Sequence, residues 1–368
     1  MMAQLSTPYS FIAMCLSTAG EHRVTAFRNE MRDPRWNWEA VIQTAASEGV
    51  LPTLNGRMQQ LRITPDLPAE IADFFETVEQ LSLERNRKIL NEVIRVSKLL
   101  NGAGIEPTLL KGVAYLTSGV YPDISARFLA DIDLLIPTDE LDAAVEVLKR
   151  SDFKQLYPSP SVVRLHYPAL QREEGIEIEL HRSLGVGKCD LILPASEVLG
   201  LARLVEFEGA RIRVPIPEHL IVHHISHSQI QDTFRSGLDN RVWSPLRVMY
   251  DLVRLQDHFG SEVDWKAIET RFRKHGQADV LATTLLLAED VLDMRRPIPV
   301  RLSGWTALRW FRIKALRATP GLRRIDPISV FFLSVIPYAR RLRREVLDRL
   351  ARLRRLFKKP NLDSGYSL

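Results

Sequence analysis

The chain has 368 residues, 45% hydrophobic and 26% charged, an ordinary globular balance with enough length for one large core or two to three smaller ones. Its two cysteines, Cys15 and Cys189, lie far apart without metal-ligand spacing, which argues against a disulfide framework or a zinc site and favours a reducing compartment. The net charge of +5 is uneven: residues 301–368 carry 17 Lys/Arg against 4 Asp/Glu, so the first 300 residues are net acidic. The apolar run from Phe11 to Leu16 has no basic residue before it, unlike a secretory leader. No stretch of about 18 apolar residues exists, and a cytoplasmic protein, peripheral to a membrane at most, is expected.

Residues 1–103 read as a helical region. Asn37 is placed to cap a helix starting at Trp38, with Glu39 favourably near its N-terminus. Pro68-Ala69-Glu70 starts another helix, and apolar residues at 90, 93, 94, 96 and 100 mark one face of a helix over 83–100, stopped by Gly102 and Gly104. The tryptophans of this region are expected in the core.

The pattern changes at Ile105. A short strand over 105–110 ends at Lys111-Gly112, a helix follows from Val113, and Tyr121-Pro122-Asp123 forces a turn. Ile132 to Pro137 is apolar except for Asp133, and reads as a buried strand. Asp131 and Asp133, two apart, share one face of that strand. Two neighbouring carboxylates on an apolar strand are costly to hold charged unless a cation joins them, which makes Asp-x-Asp a half-site for Mg²⁺ or Mn²⁺. Thr138 is a candidate cap for a helix whose buried stripe is Leu141, Ala144, Val145 and Leu148. Runs over 162–170 and 175–180 suggest a hairpin, with Glu177, Glu179 and His181 on one face. Residues 104–216 thus form an α+β core, a mixed sheet covered by helices on one side.

From Pro217 the chain turns helical again, with helices over 220–230, 246–255, from Trp265 (Asp264 as cap) and over 278–292, in a region ending near 327. Residues 328–368 form a tail. Within it, 338–359 read as an amphipathic helix with ten Lys/Arg beside an apolar stripe; a solvated helix, an anionic-membrane contact and an RNA or other polyanion contact are the three readings.

Phosphoryl transfer by two metal ions needs three carboxylates. Asp131 and Asp133 supply two, and Glu179 is the best third, with Glu177 as substitute. Lys111-Gly112 is a basic, glycine-containing strand-to-helix turn suited to phosphate, and Arg127 contacts the same phosphates or pairs with an acid. His181 orients Glu179, touches the acceptor or caps the strand; His223 and His227 sit at i, i+4 without an evident third ligand and are expected as interior or interface histidines. Asp251 is expected to cap or pair within the helices.

Leu110-Lys111-Gly112-Val113-Ala114, Tyr121-Pro122, Arg127 and Asp131-Ile132-Asp133-Leu134-Leu135 together resemble the uncharacterised nucleotidyltransferase family, a bacterial branch of the polymerase-beta-like superfamily. Glu179-Leu180-His181 resembles that family's downstream acidic element, and the likeness runs roughly over 35–290. The resemblance implies a nucleotidyltransferase fold that uses Mg²⁺ and a nucleoside triphosphate such as ATP. Asp131, Asp133 and Glu179 would be the catalytic metal ligands, and Lys111 and Gly112 would hold the place of the phosphate loop. Lys-Gly stands where the superfamily has Gly-Ser or Gly-Gly. The acceptor stays open among a small molecule, a sugar, a peptide or protein side chain and RNA. Two other functions remain in view: a non-catalytic nucleotide- or partner-binding module, and group transfer from a nucleotide sugar.

Overall fold

The computed structural model describes residues 7–156, 165–172, 175–231, 245–301 and 303–318. By contacts the chain divides into two compact units, the first formed by 1–234 and 244–312 and the second by 235–243 and 313–368; the first is described below. The amphipathic segment 338–359 lies outside the described residues, as do parts of the expected 162–170 strand and its turn at 173–174.

Five helices open the chain: α1 (Pro8–Leu16), α2 (Gly20–Met31), α3 (Trp38–Ser47), α4 (Leu51–Gln60) and α5 (Ala69–Gly102). Asn37 caps α3 as expected, its side chain accepting from Ala40 N at 2.9 Å. Trp36 and Trp38 are buried and stack edge-on against Phe11 of α1, with centroids 5.6 and 5.7 Å away. α5 is one 34-residue helix instead of the two starts suggested by the sequence, because neither glycine nor proline interrupts residues 69–101.

The sheet segment follows: β1 (Thr108–Leu109), α6 (Lys111–Thr117), β2 (Asp131–Leu135), α7 (Leu141–Arg150), β3 (Lys154–Gln155), β4 (Leu170–Gln171), β5 (Glu177–His181), α8 (Lys188–Ile192), α9 (Ala195–Leu201), β6 (Arg203–Phe207) and β7 (Ala210–Val214). The seven strands lie in the order β3-β4-β5-β2-β1-β7-β6. β2 runs parallel to β5 and β1 parallel to β7, while the other pairs are antiparallel. The fold is therefore α+β with a mixed sheet. The 105–110 strand contracts to two residues. Thr138 caps nothing, since α7 begins three residues later with Glu140 at its cap and no side-chain cap bond. The β6–β7 hairpin has no counterpart in the sequence reading; its turn places Glu208 and Gly209 at φ +49° and +75°, the left-handed pair that tight hairpins require.

On β2 and β5, Ile132, Leu134, Ile178 and Leu180 are fully buried. Alternation then turns Asp131, Asp133, Glu177, Glu179 and His181 to the opposite face. The C-terminal helices are α10 (Pro217–Ser226), continued by a π-helical turn over His227–Gln231, α11 (Leu246–Phe259), α12 (Trp265–Lys274), α13 (Ala278–Leu292) and α14 (Gly304–Ala318). Asp264 caps α12 as expected, accepting from Lys266 N and Ala267 N, each at 3.0 Å. Among the described residues no helix is long and apolar enough to cross a membrane.

Candidate active site

The parallel register of β2 against β5 sets Asp131 beside Glu177, Asp133 beside Glu179, and Leu135 beside His181. A one-residue slip would turn the acids of one strand to the other face; the fully buried Ile132, Leu134, Ile178 and Leu180 prevent it.

The approach to Asp131 is held from α5. Asn86, fully buried, donates to the carbonyls of Ile124 and Arg127 and accepts from Leu129 N. Arg85 Nε and Nη2 donate to the carbonyls of Leu129 and Ala130 at 2.6 and 2.7 Å, and Ser82 Oγ to that of Ser125 at 2.7 Å. A loop whose carbonyls are bonded to one long helix has few alternative positions, so the carboxylate that follows is held in place.

Asp133 sits at the centre. Its Oδ1 accepts from Lys111 Nζ and from His181 Nε2, both at 2.7 Å. Burial disfavours the charge on Asp133, but Lys111 and His181 outweigh it and hold the carboxyl well below its usual range. Burial likewise opposes the charge of Lys111, and the Asp133 carboxylate overrides it upward. His181 follows the same logic: burial pushes its pKa down, and hydrogen bonds to Asp133 and Glu179 bring it above the ordinary value. Glu179 loses to burial but gains more from His181, so it is lowered. The His166 ring packs against that of His181, tilted by 49° with centroids 5.1 Å apart.

Asp131 differs. No hydrogen bond or ion pair to its carboxylate is found among the described residues, and burial followed by the Asp133 charge pushes its pKa up to about 6. A half-buried acid with a raised pKa and no bonded partner, beside firmly paired groups, marks a candidate functional site. It also carries a stability consequence. An acid whose folded pKa lies above its unfolded value of 3.8 binds protons better when folded, so it lowers stability as the pH rises from about 4 to about 6 and fully above that. Asp131→Asn should therefore stabilise the metal-free protein at pH 7 by about 1–2 kcal/mol after allowing for solvent screening, with no gain near pH 4. Urea unfolding at the two pH values measures this; equal stability of the two proteins at pH 7 would contradict it.

Lys111 takes a left-handed backbone, φ +48°, at the start of α6, a conformation that costs a non-glycine residue about 1–2 kcal/mol and that here accompanies its bond to Asp133. Gly112 follows for a steric reason, since a Cβ there would overlap Arg127 Nη1 and Leu129 Cδ2. Arg127 Nε and Nη2 donate to Asp251 Oδ1 and Oδ2 of α11 at 2.9 and 3.0 Å. Tyr121 OH joins the same carboxylate at 2.6 Å. Tyr115, whose ring faces the Arg127 guanidinium at 5.2 Å, donates to His224 Nδ1 at 3.2 Å, because His224 Nε2 donates to the Val248 carbonyl at 2.8 Å. Lys111, Gly112, Arg127, Asp131 and Asp133 all line one cavity of about 260 Å³; His223, His227 and Arg247 complete its wall from the helical side.

The donor set fits a divalent cation. Ligand atoms of Asp133, Glu179 and His181 lie within 4.8 Å of one another, a group that includes His181 and leaves Asp131 two residues along the same face. Carboxylates alone suit Mg²⁺, and an imidazole among them widens the choice toward Mn²⁺. The sequence had paired Asp131 and Asp133 with Glu179; the structure brings Asp133 and Glu179 together and adds His181 through its bonds to both. Asp251 and Arg247 carried no sequence signal that tied them to the site.

Comparison with curated proteins finds no significant match. Two solved structures share partial similarity. One, from Thermotoga maritima and only provisionally named a nucleotidyltransferase, is 13% identical with a TM-score of 0.31, over 42% of this chain and 95% of its own. The other is an antigenic nucleotidyltransferase-like protein from Paracoccidioides brasiliensis, 14% identical with a TM-score of 0.34, over 59% of this chain and 96% of its own. The family described as uncharacterised nucleotidyltransferase matches residues 34–293, a span holding the clamp on α5, the acidic strands and the helical wall of the cavity. The match covers well over half of the chain, and the protein belongs to the uncharacterised nucleotidyltransferase family.

Proposed function

We propose that the protein transfers a nucleoside monophosphate from a nucleoside triphosphate to a hydroxyl acceptor, with pyrophosphate leaving. The observation that carries this reading is the pairing of Asp133 with Glu179 across parallel strands, beside Asp131, whose carboxylate has no bonded partner among the described residues, and a cavity lined by Lys111 and Arg127. Asp131, Asp133 and Glu179 would hold two Mg²⁺ or Mn²⁺ ions, with His181 fixing the orientation of Asp133 and Glu179. Metal at such a site polarises the phosphoryl group and lowers the pKa of an attacking hydroxyl.

The remaining work falls to the protein. Lys111 neutralises Asp133 in the metal-free protein; once the carboxylate is engaged elsewhere, its ammonium is available to phosphate oxygens in the same cavity. The Lys111-Gly112 turn and Arg127 Nη1, which has no hydrogen-bond partner among the described residues, face the same space. Asp251 keeps Arg127 in place, and α5 keeps the carboxylate strand from shifting. Orientation of this kind supplies a large share of phosphoryl-transfer catalysis.

The test is transfer of label. With Mg²⁺ or Mn²⁺ and cell extract, α-labelled nucleoside triphosphate should yield a labelled acceptor, and γ-labelled nucleotide should yield labelled pyrophosphate. Appearance of the γ-label on the acceptor, or no α-label transfer with any of the common nucleotides, would remove the proposal. One observation favours a second reading, a non-catalytic nucleotide-binding module: Lys111 and His181 already satisfy Asp133 Oδ1 without any cation. That reading predicts nucleotide binding that survives loss of Asp133 with no turnover. Pyrophosphate release separates nucleotidyl transfer from transfer of a sugar.

A further inference from the structure

The helical segment supplies the rest of the cavity lining, with His223 on α10, His227 and Ser228 in the π-helical turn that continues it, and Arg247, Val248 and the Arg127-bound Asp251 on α11. Among the described residues three guanidinium or ammonium groups line the cavity, and two are already engaged: Lys111 with Asp133 and Arg127 with Asp251. Arg247 makes no ion pair or side-chain hydrogen bond among the described residues. It is nevertheless seated. Its side chain lies across Gly49, where a Cβ would meet Arg247 Cδ, Cβ and Nε at 3.3, 3.4 and 3.5 Å, and the φ of +71° at Gly49 favours glycine there.

The backbone of this helix start is not the source of attraction for an anion. Leu246 N donates to Glu48 Oε2 at 2.8 Å and Arg247 N to the Glu48 carbonyl at 3.2 Å. The positive charge that faces the cavity is therefore the guanidinium.

His223 supplies an independent observation. It is 5% exposed, it lines the same cavity, and its Nε2 is buried without a hydrogen-bond partner. The ring stands at 87° to that of His227 with centroids 5.6 Å apart. Burial, then the charges of His227 and Lys111, hold its pKa well below the ordinary value, so the ring is neutral at pH 7. Buried polar atoms are nearly always bonded, and one left without a partner on a residue that lines a cavity is a candidate contact for a ligand.

We propose that Arg247 and His223 form the polyphosphate subsite: the Arg247 guanidinium and His223 Nε2–H donate to oxygens of the terminal phosphates of a nucleoside triphosphate whose α-phosphate lies against the carboxylates. The inference rests on the nucleotidyl-transfer reading and assigns the far end of its substrate. An anionic chain laid along a cavity lined by Asp131 and Asp133 from the sheet needs cationic, hydrogen-bonding groups elsewhere on its lining. The helical segment provides them, so the sheet and the helices each hold one end of the nucleotide's phosphates.

The test is calorimetric titration of the full chain with inorganic tripolyphosphate and with ATP, each with Mg²⁺, for wild type, Arg247→Gln, Arg247→Lys and His223→Leu. Arg247→Gln should weaken tripolyphosphate about tenfold or more, and Arg247→Lys by less. His223→Leu should weaken it severalfold while leaving the melting temperature unchanged or higher, because a buried unsatisfied nitrogen is removed; a purely structural histidine would lower the melting temperature instead. Wild-type affinity in both Arg247→Gln and His223→Leu would overturn the inference and leave the proposed function standing. Binding of neither ligand by wild type would overturn both. Weakened binding in the variants without nucleotidyl transfer by wild type to any acceptor would uphold the subsite and overturn the proposed function.

Discussion

Asp133→Asn should reduce the proposed nucleotidyl transfer by about three orders of magnitude, the scale seen when one preorganised electrostatic group is lost from an active site. Asparagine keeps the size of the side chain and an oxygen that Lys111 and His181 can still bond, so the strand and its neighbours stay in place. The charge is lost. With it goes the group that bonds across the strand pair and that would offer a carboxylate to a divalent cation, and the Mn²⁺ affinity measured by electron paramagnetic resonance should fall in parallel. Lys111, with its side chain 28% exposed, can turn into the cavity, and Asp131 and Glu179 remain near enough to offset its charge. The folded state should survive, which circular dichroism will show. Turnover near the wild-type rate in a folded Asp133→Asn protein would exclude the carboxylate from the chemistry.

The second large effect is on stability. Arg127 and Asp251 are buried to 11% and 3% side-chain exposure and are joined by two parallel hydrogen bonds. Burial opposes the charge on each, and each is held charged by the other. Removing one partner leaves the other charged and desolvated, so Arg127→Met and Asp251→Asn should each cost about 3–5 kcal/mol in urea unfolding. The double variant Arg127→Met with Asp251→Leu should recover much of that loss, because no buried charge remains. The pair fastens the segment leading into β2 to α11, and activity should fall in both single variants even where enough protein folds to assay. Single-variant losses under 1 kcal/mol would show that the pair is solvated in solution and does not fasten the sheet segment to the helix.

These outcomes bear on Arg127 in particular. From its neighbours in the chain it reads equally well as a phosphate ligand or as one half of an ion pair. The structure commits two of its three nitrogens to Asp251 and leaves Nη1 toward the cavity and against Gly112. Gly112 itself reads as part of a phosphate turn, and the space it leaves is filled by Arg127 and Leu129.

What the sequence determined by itself is chemistry that closes over a few residues. Asn37 and Asp264 cap their helices because a cap bonds an amide two or three positions away. Asp131 and Asp133 share a face because a strand alternates, and the same holds for Glu177, Glu179 and His181. The residue types and their spacing also carried the family resemblance. Only the tertiary structure decided which distant groups meet. Asp133 bonds His181 across 48 positions and Arg127 bonds Asp251 across 124, and no local pattern encodes either pairing. Arg247 and His223 come to line one cavity with Asp131 and Asp133 in the same way, from the packing of helices against the sheet. That packing minimises exposed apolar surface summed over the whole chain, a quantity that no short stretch contains. The acids are therefore legible one strand at a time, and the site that they form is a property of the fold.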